Sequence, residues 1–339
     1  MMAMFRFDLE VLSKRRTQIM GFAMLSVIYF HSGFDFSFIP PLQLLKQWGD
    51  VGVDIFLVMS GIGIYHSLSH KSNVPAYIRS RLRRILPAHL LVCGCWFFFL
   101  DIILYRESFL TFLMDVTSLN FWINGRLTTW YLSSLLVMQF LTPAYAGMWK
   151  RYPHMDRVII PVVLLLCLGI TYIPALNQAF EHLLVFFYRI PAYLVGLSIG
   201  RRICENRASV SVSAPLVACI LGISICILAI SSGLTPWYLR WVLRYATYLP
   251  IALILCGITV HLPENRLFRY FGTRSLEIYL LHEKILWVIS IIACRVIGDG
   301  TLQTTLINVL AILVSCAGAE ILRYILKHFF TRKGVKRLA

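Results

Sequence analysis

MGFAMLSVIYFHSG, residues Met20 to Gly33, is an apolar run of helical length with one ionisable side chain, His31, near its far end. A histidine facing lipid is costly, so an ionisable group inside such a run marks a functional-site candidate. The rest of the chain continues the pattern. Of 339 residues, 58% are hydrophobic and 14% charged, and the mean hydropathy of +0.73 is far above that of a soluble globular domain. Apolar runs of about 18 to 22 residues recur between basic or polar breaks, each long enough to cross a hydrocarbon core of roughly 30 Å as a helix. The expectation is an all-α integral membrane protein, one domain over residues 1–339, with no segment left for a soluble unit.

About ten transmembrane helices can be placed, at 17–35, 48–68, 85–104, 128–148, 158–175, 182–200, 212–231, 241–260, 275–293 and 303–325. An even count puts both termini on one side. The net charge of +16 would point to nucleic acid in a soluble protein, but here the basic residues encode topology. Most of the 32 Lys and Arg lie at the termini and in even-numbered loops, for example Arg15 and Arg16, Arg83 and Arg84, Lys150 and Arg151, Arg201 and Arg202. Both termini are therefore expected in the cytoplasm. The nine cysteines fall almost entirely inside apolar runs and read as small apolar residues, indicating neither a disulfide framework nor a metal site.

With orientation assigned, a rise of about 1.5 Å per residue converts position into depth. His31 and Asp54 both come out roughly 9 Å below the outer surface, Arg189 within about a turn of them, and Arg244 slightly higher. Four ionisable groups at one level suggest a polar chamber opening outward. Each also has a plainer reading: His31 as a helix-to-helix hydrogen-bonding residue, Asp54 with Arg189 as a structural ion pair, Arg244 snorkelling to the interface. Deeper in, SLEIYLLHEKIL (Ser275–Leu286) brings Glu277, His282, Glu283 and Lys284 into one apolar run, a polar density that lipid exposure does not explain. His282 joins the candidates. The long outer segment from Tyr105 to Leu127 reads either as an interfacial helix or as a cover over the chamber.

DVGVDIFLVMSG (Asp50–Gly61) resembles the membrane-bound acyltransferase family 3. The resemblance extends over nearly the whole chain, through the first span ending in His31, YIRSRLRRILP (Tyr77–Pro87), WYLSSLLVMQFLTP (Trp130–Pro143), YRIPAYLVGLSIG (Tyr188–Gly200) and FGTRSLEIYLLH (Phe271–His282). It implies a ten-span enzyme of the cell membrane. Such an enzyme moves an acyl group, usually acetyl, from cytoplasmic acetyl-CoA or another acyl-CoA onto a hydroxyl of an envelope or exported carbohydrate. The family's first span usually carries an arginine eleven residues before the histidine, where this chain has Met20; Arg16 lies one turn earlier on the same face. Some branches place a glutamate after the W-x-L-S stretch, where Leu135 and Leu136 stand here.

On that footing His31 is the expected general base, Asp54 the carboxylate that fixes its tautomer, Arg189 the group that stabilises the oxyanion, and His282 a further candidate. Arg79, Arg81, Arg83 and Arg84 form a cluster that can hold the phosphates of coenzyme A, although basic loops also follow from topology and anionic lipid alone. No serine or cysteine stands clearly beside a base, which favours direct transfer over an acyl-enzyme, with Ser60 and Ser133 left as the alternative nucleophiles. The partners implied are acyl-CoA, a carbohydrate acceptor and membrane lipid, with no metal and no nucleic acid. The alternative is a lipid-linked sugar flippase or transporter, against which the lack of internal repeats counts.

Overall fold

In the computed structural model, residues 6–70, 73–231, 237–296 and 301–328 are described. The main helices are α1 (Arg16–His31), α2 (Val51–Ser69), α3 (Val74–Phe97), α4 (Phe109–Val116), α5 (Leu119–Asn124), α6 (Trp130–Arg151), α7 (Asp156–Tyr172), α8 (Ile190–Cys204), α9 (Ser213–Ser231), α10 (Trp237–His261), α11 (Arg266–Thr273), α12 (Ser275–Val296) and α13 (Thr301–Leu326). A two-stranded antiparallel pairing of Arg6–Asp8 with Ser209–Ser211 ties the start of the chain to the α8–α9 connection.

Each of the ten expected spans coincides with one of these helices, with shifted ends. The first stops at His31, because Ser32 is extended (φ −63°, ψ 147°). The third starts eleven residues before the expected 85, since the basic stretch is helical. Asn73 caps it by accepting from the Ala76 amide at 2.8 Å, and Pro75 sits in the first turn, where its missing N–H costs nothing. A π-helical turn, Phe98–Leu104, prolongs it. The sixth is broken in its first half, where Pro174–Phe180, Glu181–Leu183 and Leu184–Phe187 precede α8.

By length and hydropathy, 4 helical stretches among the described residues qualify to cross a membrane: Val51–Ser69, Val74–Leu104, Pro174–Cys204 and Gln303–Leu326. Helix α1 has only 16 residues, and α12 carries Glu277, Glu283 and Lys284. The two helices that carry His31, His282 and Glu283 are thus outside the four, whereas Asp54 and Arg189 lie within qualifying stretches. The outward faces of α7, α9 and α13 bear Val158, Leu165, Ile225, Leu228, Leu310 and Leu313 to the surroundings, as expected of a surface solvated by lipid tails.

The core is centred on α2, which is buried along nearly its whole length. Helices α2 and α8 approach so closely that a Cβ on Gly61 would stand 2.6 Å from the Tyr193 carbonyl oxygen, and one on Gly196 would overlap the Val58 carbonyl. Small residues permit this backbone contact, which is the usual way for helices to associate where apolar burial supplies no driving force.

The segment between α3 and α6 folds over the bundle as α4 and α5. Arg126 pairs with two buried carboxylates, Asp115 and Asp101, the latter at 3.2 Å, and Asn120 donates to Asp115 at 2.8 Å. Burial pushes the Asp115 carboxyl up to about 6, against the Asn120 hydrogen bond and the Arg126 charge. Trp122 donates to Ser133 Oγ at 2.5 Å, fastening the segment to α6.

Candidate functional site

Helix α1 ends on His31, and α12 presents His282 and Glu283 beside it. His31 Nδ1 lies 3.0 Å from Glu283 Oε1, with the two side chains 32% and 40% exposed. Taking Glu283 as the acceptor places the proton on Nδ1 and leaves the Nε2 lone pair of His31 free. The His282 ring is 5.3 Å away at 66°. His282 is 6% exposed, and its Nδ1 donates back along α12 to the carbonyls of Tyr279 at 2.9 Å and Ile278 at 3.2 Å. Its Nε2 is therefore an unprotonated acceptor, buried and without a hydrogen-bond partner among the described residues.

The carboxylate at His31 is thus Glu283, where the sequence pointed to Asp54. Asp54 lies elsewhere, 3.6 Å from Arg189 Nε, with the two side chains 1% and 3% exposed. Asp50 joins them, 3.5 Å from Arg189 Nη2 and accepting from the Tyr248 hydroxyl at 2.6 Å. The guanidinium sits 4.9 Å from the Trp130 ring centroid and 5.3 Å from that of Tyr248. Two carboxylates and two aromatic faces enclose one buried arginine, which is how a charge is made tolerable away from water. This is the ion-pair reading of Asp54 and Arg189, enlarged by Asp50, whose spacing of four residues from Asp54 was the signal in the sequence. The side chain of Arg244 lies outside the described residues.

A pocket of about 150 Å³ opens between α1, α2, α3, α6 and α12. Arg16, Arg81 and Arg84 line it, together with Met20, Phe56, Tyr131 and Tyr279. Of the four arginines in the α3 cluster, the half-buried Arg81 and the exposed Arg84 line the pocket, while Arg79 and Arg83, both exposed, do not. Arg81 is steadied by donating to Ser67 Oγ at 2.9 Å. Arg16 lies against Gly63, where a Cβ would stand 3.2 Å from the guanidinium carbon, and its buried Nε has no hydrogen-bond partner among the described residues. Arg16 therefore occupies the same pocket as Met20, the position at which the resemblance had called for an arginine.

Two aromatic rings connect this pocket to the histidines. Tyr131 and Tyr279 stack edge to face at 4.8 Å, and Tyr279 lies 5.7 Å from His282. Beyond the histidines is a cleft of about 20 Å³, lined by His31, Ser32, His282, Asn308 and Ser315 among others. Asn308 Oδ1 accepts from the Gly33 amide at 3.0 Å, which anchors the chain just after His31 to α13. A cysteine beside a base also emerges: Cys93 Sγ is 3.6 Å from His89 Nδ1. That thiol is fully buried and lines neither pocket, whereas Ser60 lines the arginine pocket.

Comparison with known proteins gives one match. The model of the acyltransferase 3 family, described as an acyltransferase domain, covers residues 19–322. No curated protein matches, and no solved structure does. The matched range takes in both histidines, Glu283, the buried Arg189 cluster and two of the three pocket arginines, all but Arg16. On this match the chain belongs to the acyltransferase 3 family, and it is a membrane acyltransferase.

Proposed function

We propose that this enzyme transfers a short acyl group, acetyl foremost, from a cytoplasmic acyl-CoA to a hydroxyl of an envelope or exported carbohydrate. The observation that carries the reading is the pocket with three guanidiniums at its wall and Tyr279 at its floor, one ring from His282 and the His31–Glu283 pair. Arginine forks suit phosphate, so Arg16, Arg81 and Arg84 bind the donor's phosphate groups, and the acyl end extends past Tyr131 and Tyr279. His31 Nε2 takes the proton of the acceptor hydroxyl as its oxygen attacks the thioester carbonyl, and the coenzyme leaves as the thiol after receiving a proton. Glu283 holds the ring and stabilises the imidazolium, the task first given to Asp54. The lone pair on His282 Nε2 accepts a hydrogen bond from a second hydroxyl of the acceptor. Asp50, Asp54 and Arg189 hold the surrounding helices.

The chain works in this reading as a ten-span protein of the cell membrane with both termini in the cytoplasm, bringing donor and acceptor to the histidines from opposite faces. The test is transfer from labelled acetyl-CoA in membranes carrying the wild type or His31→Gln, with mass spectrometry of the envelope polysaccharide for the acetyl increment. Glutamine keeps hydrogen bonding but accepts no proton at neutral pH, so transfer falls by about 10²-fold or more. A well-inserted His31→Gln protein with near-normal transfer overturns the proposal.

A further inference from the structure

We propose that His31, His282 and Glu283 form a binding site for a divalent transition-metal ion, zinc above all, and that an ion bound there takes the catalytic base out of service. One ring nitrogen of each histidine and one carboxylate oxygen of Glu283 all lie within 4.8 Å of one another. Bonds of about 2.0–2.2 Å around a tetrahedral ion put neighbouring ligand atoms roughly 3.3–3.5 Å apart. The His31–Glu283 separation of 3.0 Å is already close to that, so His282 is the ligand that has to close in.

A second feature points independently to a ligand. His282 Nε2 is an unpartnered acceptor on a side chain only 6% exposed, and its tautomer is set by donation from Nδ1 to backbone carbonyls. That is the outer arrangement found behind metal-bound histidines, where the second nitrogen is tied to a carbonyl or carboxylate. His31 and Glu283 are partly exposed, which gives an ion a way in, and three protein ligands leave a fourth position for water. Two imidazoles and one carboxylate suit zinc and its neighbours better than magnesium or calcium. His31 lies far in sequence from the adjacent His282 and Glu283, which is why no motif announced the set and the sequence reading expected no metal.

The inhibitory half rests on His31 being the base; the binding half does not. An ion on His31 Nε2 consumes the lone pair that would accept the proton. An ion on Nδ1 requires the other tautomer, with the ring proton moved from Nδ1 to Nε2. Either way the ring cannot accept a proton from the hydroxyl.

The experiment titrates purified wild-type protein in detergent with Co²⁺, read by its visible ligand-field absorption. His282→Ala and Glu283→Gln are run beside it, after size-exclusion chromatography has shown them monodisperse. The expected result is an intense tetrahedral-type band without a thiolate charge-transfer band, displaced by Zn²⁺, with affinity at least tenfold weaker in either variant. Absence of the band in the wild type, or its persistence in both variants, overturns the site. In a second arm Zn²⁺ is added to the transfer assay. Inhibition whose midpoint tracks the binding titration is expected. Zn²⁺ binding with unchanged transfer overturns the inhibitory half and at the same time counts against His31 as base, whereas failed Co²⁺ binding with a dead His31→Gln enzyme leaves the base intact.

Discussion

Replacing Glu283 by glutamine separates orientation from proton transfer at His31. The amide keeps the size of the side chain and offers one acceptor oxygen, but it no longer balances the imidazolium and can turn its NH₂ toward Nδ1. Transfer is expected to fall about tenfold or more, less than in His31→Gln, and the double variant to be little worse than His31→Gln, because the two residues act as one unit. Asp54→Asn is expected to lower the yield of folded protein, leaving the activity per folded molecule closer to normal. On the other wall of the site, Gly63→Ala puts a methyl group 3.2 Å from the Arg16 guanidinium carbon, and the arginine has to shift. The expected outcome is a several-fold higher KM for acyl-CoA with kcat nearly unchanged, read from initial rates. Both histidines were legible in the sequence, since each interrupts an apolar run. The carboxylate was not, for a geometric reason. Position along a helix gives height in the membrane but not azimuth around the bundle, and Asp54, at the right height, faces Arg189 and not His31.

At the level of elements, the basic stretch shows what periodicity adds once a segment is known to be helical. Read as a loop, Arg79, Arg81, Arg83 and Arg84 are one cluster; wound into α3, they divide by face into a pair that lines the pocket and a pair that does not. Arg81→Gln with Arg84→Gln is therefore expected to raise the KM for acyl-CoA about tenfold or more, while Arg79→Gln with Arg83→Gln leaves it within about twofold. Equal effects of the two pairs in a KM measurement would return all four to topology. The apolar runs located the main helices other than α4, α5 and α11, because length and hydropathy are one-dimensional properties. What they did not show was the start of α3, set by the Asn73 cap, or the close crossing of α2 and α8, set by which face Gly61 and Gly196 occupy. Gly196→Ala forces a methyl group into the Val58 carbonyl, and a cost of about 1–3 kcal/mol is expected, visible as a lower melting temperature of the detergent-solubilised protein.

For the whole molecule, the proposed ten crossings make a topological prediction. Reporter fusions after Lys71, Lys150, Arg202 and Arg269 are expected to read cytoplasmic, and fusions near Arg126 and Arg295 external; an odd number of crossings would place donor and acceptor on the wrong faces. Helices α1 and α12, which carry His31, His282 and Glu283, fall outside the four qualifying stretches, while the qualifying α2 and Pro174–Cys204 hold Asp54 and Arg189, so this bundle encloses charge on both kinds of helix. Such a bundle also has to keep its covering segment in place, and there the surplus of acid around Arg126 matters. One guanidinium faces two carboxylates there, and burial favours the protonated form of Asp115. A carboxyl raised from 3.8 to about 6 by folding stabilises the closed segment fully below pH 4 and loses that contribution as pH rises through 6. Hydrogen exchange of residues 109–124 should accordingly quicken about tenfold between pH 5 and pH 8 beyond its intrinsic rise, which would make the canopy over this enzyme tighten in acid and slacken in alkali.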